Sequence, residues 1–200
     1  MQRLSPTLIQ LNLATHAHHV AADAAWLELL VPTVTKRRYI EHLIRVYGFE
    51  APLEAVLHYT PELSSLVALR PRVRAGLIAQ DLMRLGLRAG LIATLGQRFM
   101  TFSSTAEALG WMYVAERTTL LHGAVGSHLR LHLPEIGGAT CYLEACDGSA
   151  GTRWSDLGNA LEMVARAPSA KHQLIRAANQ GFLALYEWFD VGTSLMSVSA

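Results

Sequence analysis

Apolar residues recur at helical spacing along almost the whole chain, whereas the alternating pattern of a β-strand is nearly absent. Prolines stand mostly at the edges of these periodic segments, where a missing N–H does least harm to a helix. The pattern predicts helices over residues 6–30, 33–59, 70–95, 104–133, 152–166 and 169–189. We therefore expect an all-α, multi-helical fold, and the length of 200 residues favours a single domain over residues 1–200.

Two local signals refine this picture. Ser104 is followed three residues later by Glu107, which is the spacing of a capping box at a helix start. The glycine-rich segment 137–151 contains Cys141 and Cys146, the only cysteines, and predicts a long loop before the last two helices. The spacing of these cysteines fits no redox or zinc motif, so we expect reduced thiols on or beside that loop.

Composition narrows the class of protein. No run of about eighteen residues is free of charged residues and histidine, so we expect no membrane span. The formal net charge is +1 and the basic residues are scattered, which argues against nucleic acid as a partner. Pro6, Asn12 and three histidines interrupt the start of the chain, so we expect no leader peptide and a cytoplasmic protein.

The first predicted helix carries the most informative histidine of the nine in the chain. No Lys or Arg occurs from Leu4 to Thr35, so this helix is expected to be buried around most of its circumference. With a turn of 100° per residue, His19 shares its helix face with Leu8, Thr15, Ala22, Trp26 and Leu30. An imidazole within such an apolar stripe is either an iron ligand or a buried histidine satisfied by a backbone carbonyl.

Several short motifs follow one another along the chain in a fixed order. They are Ala14-Thr15 with His19; Tyr47-Gly48-Phe49; Asp81-Leu82 with Leu85-Gly86; Ala108-Leu109-Gly110 with Tyr113 and Glu116; Gly151, Arg153 and Trp154; and Ala177, Phe182 and Trp188. Their colinear arrangement resembles the heme oxygenase family over the full length of the chain.

The resemblance implies a heme oxygenase-like fold in which heme lies between the first helix and a distal helix that begins near Ser104. It implies His19 as the ligand of the heme iron. It also places around the cofactor the residues Thr15, Tyr113, Leu121, Gly123 and Arg153, with Arg153 as a cation for a propionate. The implied reaction opens heme to biliverdin, CO and iron with O2 and electrons from a reductase or ferredoxin, and a biliverdin-using photoreceptor is a possible downstream partner.

The chain departs from the family on the distal helix. Where the family has EGSTLGG, this chain has ERTTLLH, so that Arg117, Leu121 and His122 replace three glycines. Residues expected on the catalytic side are therefore His122, Thr118 and Arg117. His122 either faces the iron opposite His19 or fills a collapsed pocket as a core histidine. Asn12 stands where the family has a basic residue for a propionate, and Arg117 is an alternative cation.

Three functional hypotheses follow from these residues. The first is a heme oxygenase that binds heme through His19 and cleaves it. The second is a non-catalytic heme-binding or sensory module in which Leu121 and His122 exclude productive O2. The third is a heme-free scaffold that retains only the fold, which the loss of the distal glycines and the presence of Asn12 favour.

Overall fold

The computed structural model describes residues 5–196, with side chains over residues 5–190. The prediction of one domain over residues 1–200 includes residues 1–4 and 197–200, which lie outside the described residues. Within the described part the α-helices are α1 (Pro6–Thr15), α2 (His19–Leu27), α3 (Lys36–Tyr59), α4 (Leu63–Leu66), α5 (Ala75–Arg84), α6 (Ala89–Ile92), α7 (Thr105–Thr118), α8 (His122–His132), α9 (Cys141–Glu144), α10 (Ala150–Val164) and α11 (Pro168–Met196). No strand occurs there, which confirms the all-α prediction.

Three of the predicted long helices are divided. Short 3-10 turns at His16–His18 and Thr119–Leu121 interrupt the predicted helices 6–30 and 104–133. The predicted helix 70–95 contains a 3-10 turn at Arg70–Arg72 and then α5 and α6, because Gly86 adopts a positive φ of 109° that a helix cannot continue through. The predicted loop 137–151 contains the short helix α9.

Side-chain caps explain where three of the helices begin. The hydroxyls of Ser5, Thr35 and Ser104 each accept a hydrogen bond from the first turn of the helix that follows. The Ser104 hydroxyl accepts from the Glu107 N–H at 3.2 Å, as the capping box predicts. The Glu107 carboxylate reaches back to the N–H and hydroxyl of Ser103, both at 2.8 Å, which is one residue earlier than the motif requires.

Helix α7 packs along α11, and this pair forms the centre of one of two apolar clusters. The backbones approach closely at Gly110, where a Cβ would lie 2.7 Å from the Leu174 carbonyl oxygen and 2.8 Å from the Ala177 Cβ. The second cluster joins the end of α2 and the first half of α3 to α5, α8 and α9. Residues of α1, α2 and α7 meet in the first cluster, next to the candidate site described below.

The Asp81-to-Gly86 motif has a structural explanation. The fully buried Asp81 carboxylate accepts hydrogen bonds from the N–H groups of Cys141 and Tyr142 at 3.1 and 2.8 Å. Asp81 therefore caps α9 from α5 and fixes the segment that carries both cysteines, which are unpaired thiols as predicted.

The surface of the first two helices differs from the prediction. The expectation that this region is buried on most sides is wrong, because Leu13 is 69% exposed and Val20 is 80% exposed. Ile9 and Leu27 are also exposed to about half their area. None of the described helices is long and apolar enough to cross a membrane. The first two helices therefore carry several exposed apolar side chains.

Candidate functional site

A cleft of about 420 Å³ opens between α1 and α7, and we call it the α1–α7 cleft. Its lining consists of Leu8, Ile9, Asn12, Leu13, Tyr113, Arg117, Leu120 and Trp154. The exposed side chains of Leu13 and Leu120 stand at its rim, and the buried Tyr113 hydroxyl accepts a hydrogen bond of 3.4 Å from the Asn12 amide. A cleft of this size, with apolar walls and a few polar groups, suits a small-molecule ligand.

Arg117 connects this cleft to α2. Its guanidinium donates two hydrogen bonds to the Asp23 carboxylate, one at 2.6 Å and one at 2.9 Å. Parallel bidentate pairs of this kind are among the strong charge-assisted hydrogen bonds in proteins. The Arg117–Asp23 pair therefore links the wall of the cleft to α2 one helical turn beyond His19.

His19 is buried at the first residue of α2, directly after the His16–His18 turn. Its Nε2 lies 3.1 Å from the Thr15 hydroxyl, and that hydroxyl donates to the Leu11 carbonyl at 2.8 Å. Because Thr15 has a single hydroxyl proton, the His19 Nε2 is assigned as the protonated nitrogen that donates to Thr15. Burial, followed by the charge of Arg117, lowers the pKa of His19 to about 4, so the ring is neutral at physiological pH.

Helix α11 closes the other side of this histidine segment. The His19 ring packs against Phe182 with 5.5 Å between centroids, and the His18 ring stacks on Phe182 at 6.0 Å. The His18 Nε2 also lies 2.9 Å from the side-chain oxygen of Asn179. The imidazole of His19 is therefore held by Thr15 on one side and Phe182 on another.

His122 does not share these neighbours. Its ring packs between Trp26, at 4.8 Å, and Tyr142, at 4.7 Å, within the second apolar cluster. Neither ring nitrogen has a hydrogen-bond partner among the described residues, and the side chain is almost fully buried. Burial, then the nearby charge of Arg74, holds the pKa of His122 well below its usual value. The structure thus presents His122 as a neutral core histidine.

Arg153 lies in a buried ionic network instead of in the α1–α7 cleft. Its guanidinium donates to the Glu116 carboxylate at 2.7 and 3.0 Å and to the Thr119 hydroxyl at 3.1 Å. Arg72 approaches the other oxygen of Glu116 at 3.2 Å and pairs with Asp156 at 2.8 Å. Arg153 is 2% exposed and Glu116 is 1% exposed. Arg153, which the resemblance assigns to a heme propionate, is thus paired with the Glu116 carboxylate of the protein itself.

The remaining expected residues are dispersed. The Thr118 hydroxyl is buried and donates to the Ala115 carbonyl at 2.8 Å, and Leu121 packs on the second apolar cluster. Gly123 is exposed, with no atom near the position that a Cβ would take. Of the predicted residues, the structure brings together Tyr113 and Arg117 in the cleft, and Thr15 with His19 beside it. It does not place His122, Leu121, Gly123 or Arg153 in the lining of that cleft.

Asp23 is the functional candidate that sequence reasoning missed. Asp23 and Glu28 are the only charged side chains between Leu4 and Thr35. A carboxylate on a helix without Lys or Arg must find its cation on another element or remain solvated. That signal, combined with Arg117 at a position where the family has glycine, was available in the sequence.

No protein-family profile and no curated protein matches this chain. Among solved structures, the chain is similar to the heme oxygenase of Neisseria meningitidis, known from crystal structures with NO and CO bound. The TM-score is 0.70 at 22% sequence identity, and the match covers 94% of each chain. The protein therefore has the all-helical fold of that heme oxygenase, which confirms the fold prediction.

Proposed function

We propose that this protein binds heme between α1, α2 and α7, with His19 as the ligand of the iron. The observation that carries the proposal is a ligand-sized cleft between α1 and α7 of a heme oxygenase fold, adjacent to a neutral buried imidazole. A neutral imidazole carries a lone pair on one of its two ring nitrogens, and that nitrogen can bind iron.

The donor set fits heme better than a bare metal ion. No group of three or more His, Cys, Asp or Glu among the described residues is arranged to hold a metal ion. A heme iron already has four porphyrin nitrogens and needs one axial ligand from the protein. Ligation through the His19 Nε2 would require the ring proton to stand on Nδ1 and would replace the 3.1 Å contact of Nε2 with Thr15, whose hydroxyl keeps its hydrogen bond to Leu11.

His19 lies outside the lining of the α1–α7 cleft. The Arg117–Asp23 pair spans from α7 to α2 beside His19, and the α1–α7 cleft includes Arg117 but not His19 in its lining. The cleft walls are mostly apolar, as a flat apolar ring requires, and we propose that the pair separates when such a ring contacts His19. Heme binding in this protein is thus coupled to a movement of Arg117.

We place heme binding ahead of heme cleavage as the function. Cleavage to biliverdin, CO and iron, with electrons from a reductase or ferredoxin, is the second candidate. The similarity to the heme oxygenase of Neisseria meningitidis favours it. O2 activation needs open space and a hydrogen-bond donor on the distal side of the iron. In this chain that side carries the Arg117 guanidinium, and His122 is packed between Trp26 and Tyr142. A carrier or sensor of heme agrees with these side chains.

A hemin titration tests the proposal. Hemin added to the wild-type protein should give a Soret band that is shifted from free hemin and is lost or displaced in His19→Ala. The exposed His172 provides a matched control, and His172→Ala should retain the wild-type spectrum. His122→Phe should also retain it, since His122 contacts neither His19 nor the cleft. No shift with the wild-type protein would contradict heme binding and leave only the fold.

A second step separates binding from cleavage. Ascorbate or a reductase is added in air to the hemin complex, and the spectrum is followed over time. We expect the Soret band to persist without a biliverdin band. Growth of a biliverdin band that requires His19 would instead establish the oxygenase, and a biliverdin-using photoreceptor would then be a sensible partner to test.

A further inference from the structure

The Arg117–Asp23 pair crosses between the two helices that border the candidate site. Arg117 follows Glu116 on α7, where its guanidinium lines the α1–α7 cleft, and Asp23 lies on α2. Of the described residues that line this cleft, Arg117 alone is charged. Any anionic group on a ligand in this cleft therefore has one cation available, and Asp23 already occupies it.

The exposures of the two partners are unequal. The Arg117 side chain is 12% exposed and the Asp23 side chain is 22% exposed. Removing one partner of a largely buried pair leaves the other charge uncompensated, which is the expensive outcome. A ligand that brings its own carboxylate avoids this cost, because Arg117 exchanges one carboxylate for another while Asp23, the more exposed partner, turns to water.

The chemistry of the cleft favours a ligand of one class. Its walls are apolar, its rim carries the exposed Leu13 and Leu120, and its polar groups are the Asn12 amide, the Tyr113 hydroxyl and Arg117. A flat apolar body with a carboxylate matches this distribution, and heme has that form. A ligand without a carboxylate would leave Arg117 unpaired when it entered.

From these observations we infer that Arg117 and Asp23 form a carboxylate-exchange latch, in which a carboxylate of the incoming tetrapyrrole replaces Asp23 on Arg117 and opens the way to His19. This inference rests on the proposed function and adds to it the residue that recognises the ligand's carboxylate. It also gives Arg117 a role in binding. The latch favours the binding of rings that carry a carboxylate over the binding of neutral rings.

Metal-free porphyrins test the latch without depending on iron ligation by His19. Protoporphyrin IX and its dimethyl ester are titrated by fluorescence against the wild-type protein, Asp23→Asn and Arg117→Ala. Asp23→Asn should bind protoporphyrin IX about tenfold more tightly than the wild type, since the competing carboxylate is gone. Arg117→Ala should bind it about tenfold more weakly than Asp23→Asn does, because the cation is gone as well.

The dimethyl ester provides the decisive contrast. Both variants remove the Arg117–Asp23 pair, so both should bind the ester more tightly than the wild type does, and Asp23→Asn should bind the acid more tightly than the ester. Glu187→Gln, which breaks the exposed pair with Arg98, should match the wild type for both porphyrins. Asp23→Ala and Arg117→Met repeat the test if a first variant folds poorly by circular dichroism.

The outcomes separate the two proposals. If Asp23→Asn and the wild type bind protoporphyrin IX equally while hemin binding still requires His19, the latch is overturned and the proposed function stands. Equal binding of the acid and the ester by Asp23→Asn would also overturn the latch. If neither Asp23→Asn nor Arg117→Ala binds any porphyrin and hemin gives no Soret shift, both proposals fail.

Discussion

Glu116 offers the sharpest test of how the structure is held together. Its carboxylate lies between Arg153 and Arg72, and all three side chains are at most 5% exposed. The change Glu116→Gln keeps the size of the side chain and removes its charge. Arg153 then has no carboxylate among the partners described above and keeps only neutral acceptors such as the Thr119 hydroxyl, while Arg72 retains Asp156. Breaking one side of a buried ion pair typically costs about 3–5 kcal/mol.

This loss is a large share of the stability of one domain, which is about 5–15 kcal/mol. With a urea dependence of about 2 kcal/mol per M, the midpoint should fall by about 1.5–2.5 M while the slope stays constant. Urea unfolding followed by far-UV circular dichroism measures both quantities. Glu135→Gln, at an exposed position, is the matched control and should change the free energy of unfolding by less than about 0.5 kcal/mol.

A double variant completes the test. Glu116→Gln with Arg153→Met removes both charges, so it should be more stable than Glu116→Gln alone. It should also bind hemin as the wild type does, because Arg153 faces Glu116 and not the α1–α7 cleft. A single variant within about 1 kcal/mol of the wild type, at unchanged slope, would refute this reasoning. Additive losses in the double variant would refute it as well.

Two further predictions concern pH and backbone packing. Burial lowers the pKa of His19 to about 4 and of His42 to about 3, so below about pH 6.5 the unfolded chain binds more protons than the folded one. The contribution of the fully buried His42 to the free energy of unfolding is complete above that pH and is about 2 kcal/mol smaller at pH 5. In urea unfolding, His42→Phe should therefore lose less stability at pH 5 than the wild type does, whereas His172→Phe should lose as much as the wild type. Identical pH profiles for His42→Phe and the wild type would contradict this. Gly110→Ala should lower the free energy of unfolding by at least about 1–3 kcal/mol, because its Cβ would meet α11. Gly123→Ala, in open space, should raise the free energy of unfolding by about 0.5–1 kcal/mol and leave hemin binding unchanged. If thermal unfolding shows no loss of stability in Gly110→Ala, the close approach of α7 and α11 is contradicted.

The sequence predicted the helices well because their apolar period and caps are local properties. The face of His122 was harder to predict, because the Thr119–Leu121 turn precedes it. A 3-10 turn advances about 120° per residue instead of 100°, so three residues add about 60° of rotation. The ring packs against Trp26 and Tyr142, a position that the spacing of an uninterrupted helix from α7 does not give.

The candidate site was predictable only in part, since ion pairing between distant residues leaves no periodic signal. The resemblance identified Arg153 as a cation for a ligand, but its partner Glu116 lies 37 positions away, on α7. Asp23 and Arg117 are 94 positions apart, and only the folded chain shows that they meet. By contrast, Thr15 and His19 are one helical turn apart, and their proximity follows from helical spacing alone.

The buried arginine and glutamate side chains also bear on how the protein responds to warming. Taking charges out of water becomes less unfavourable as temperature rises, because the hydration of ions carries a strongly negative entropy. The contacts of Glu116 with Arg72 and Arg153 join α7 to α10 and to the turn before α5. Those junctions should therefore weaken less on heating than apolar contacts of equal strength.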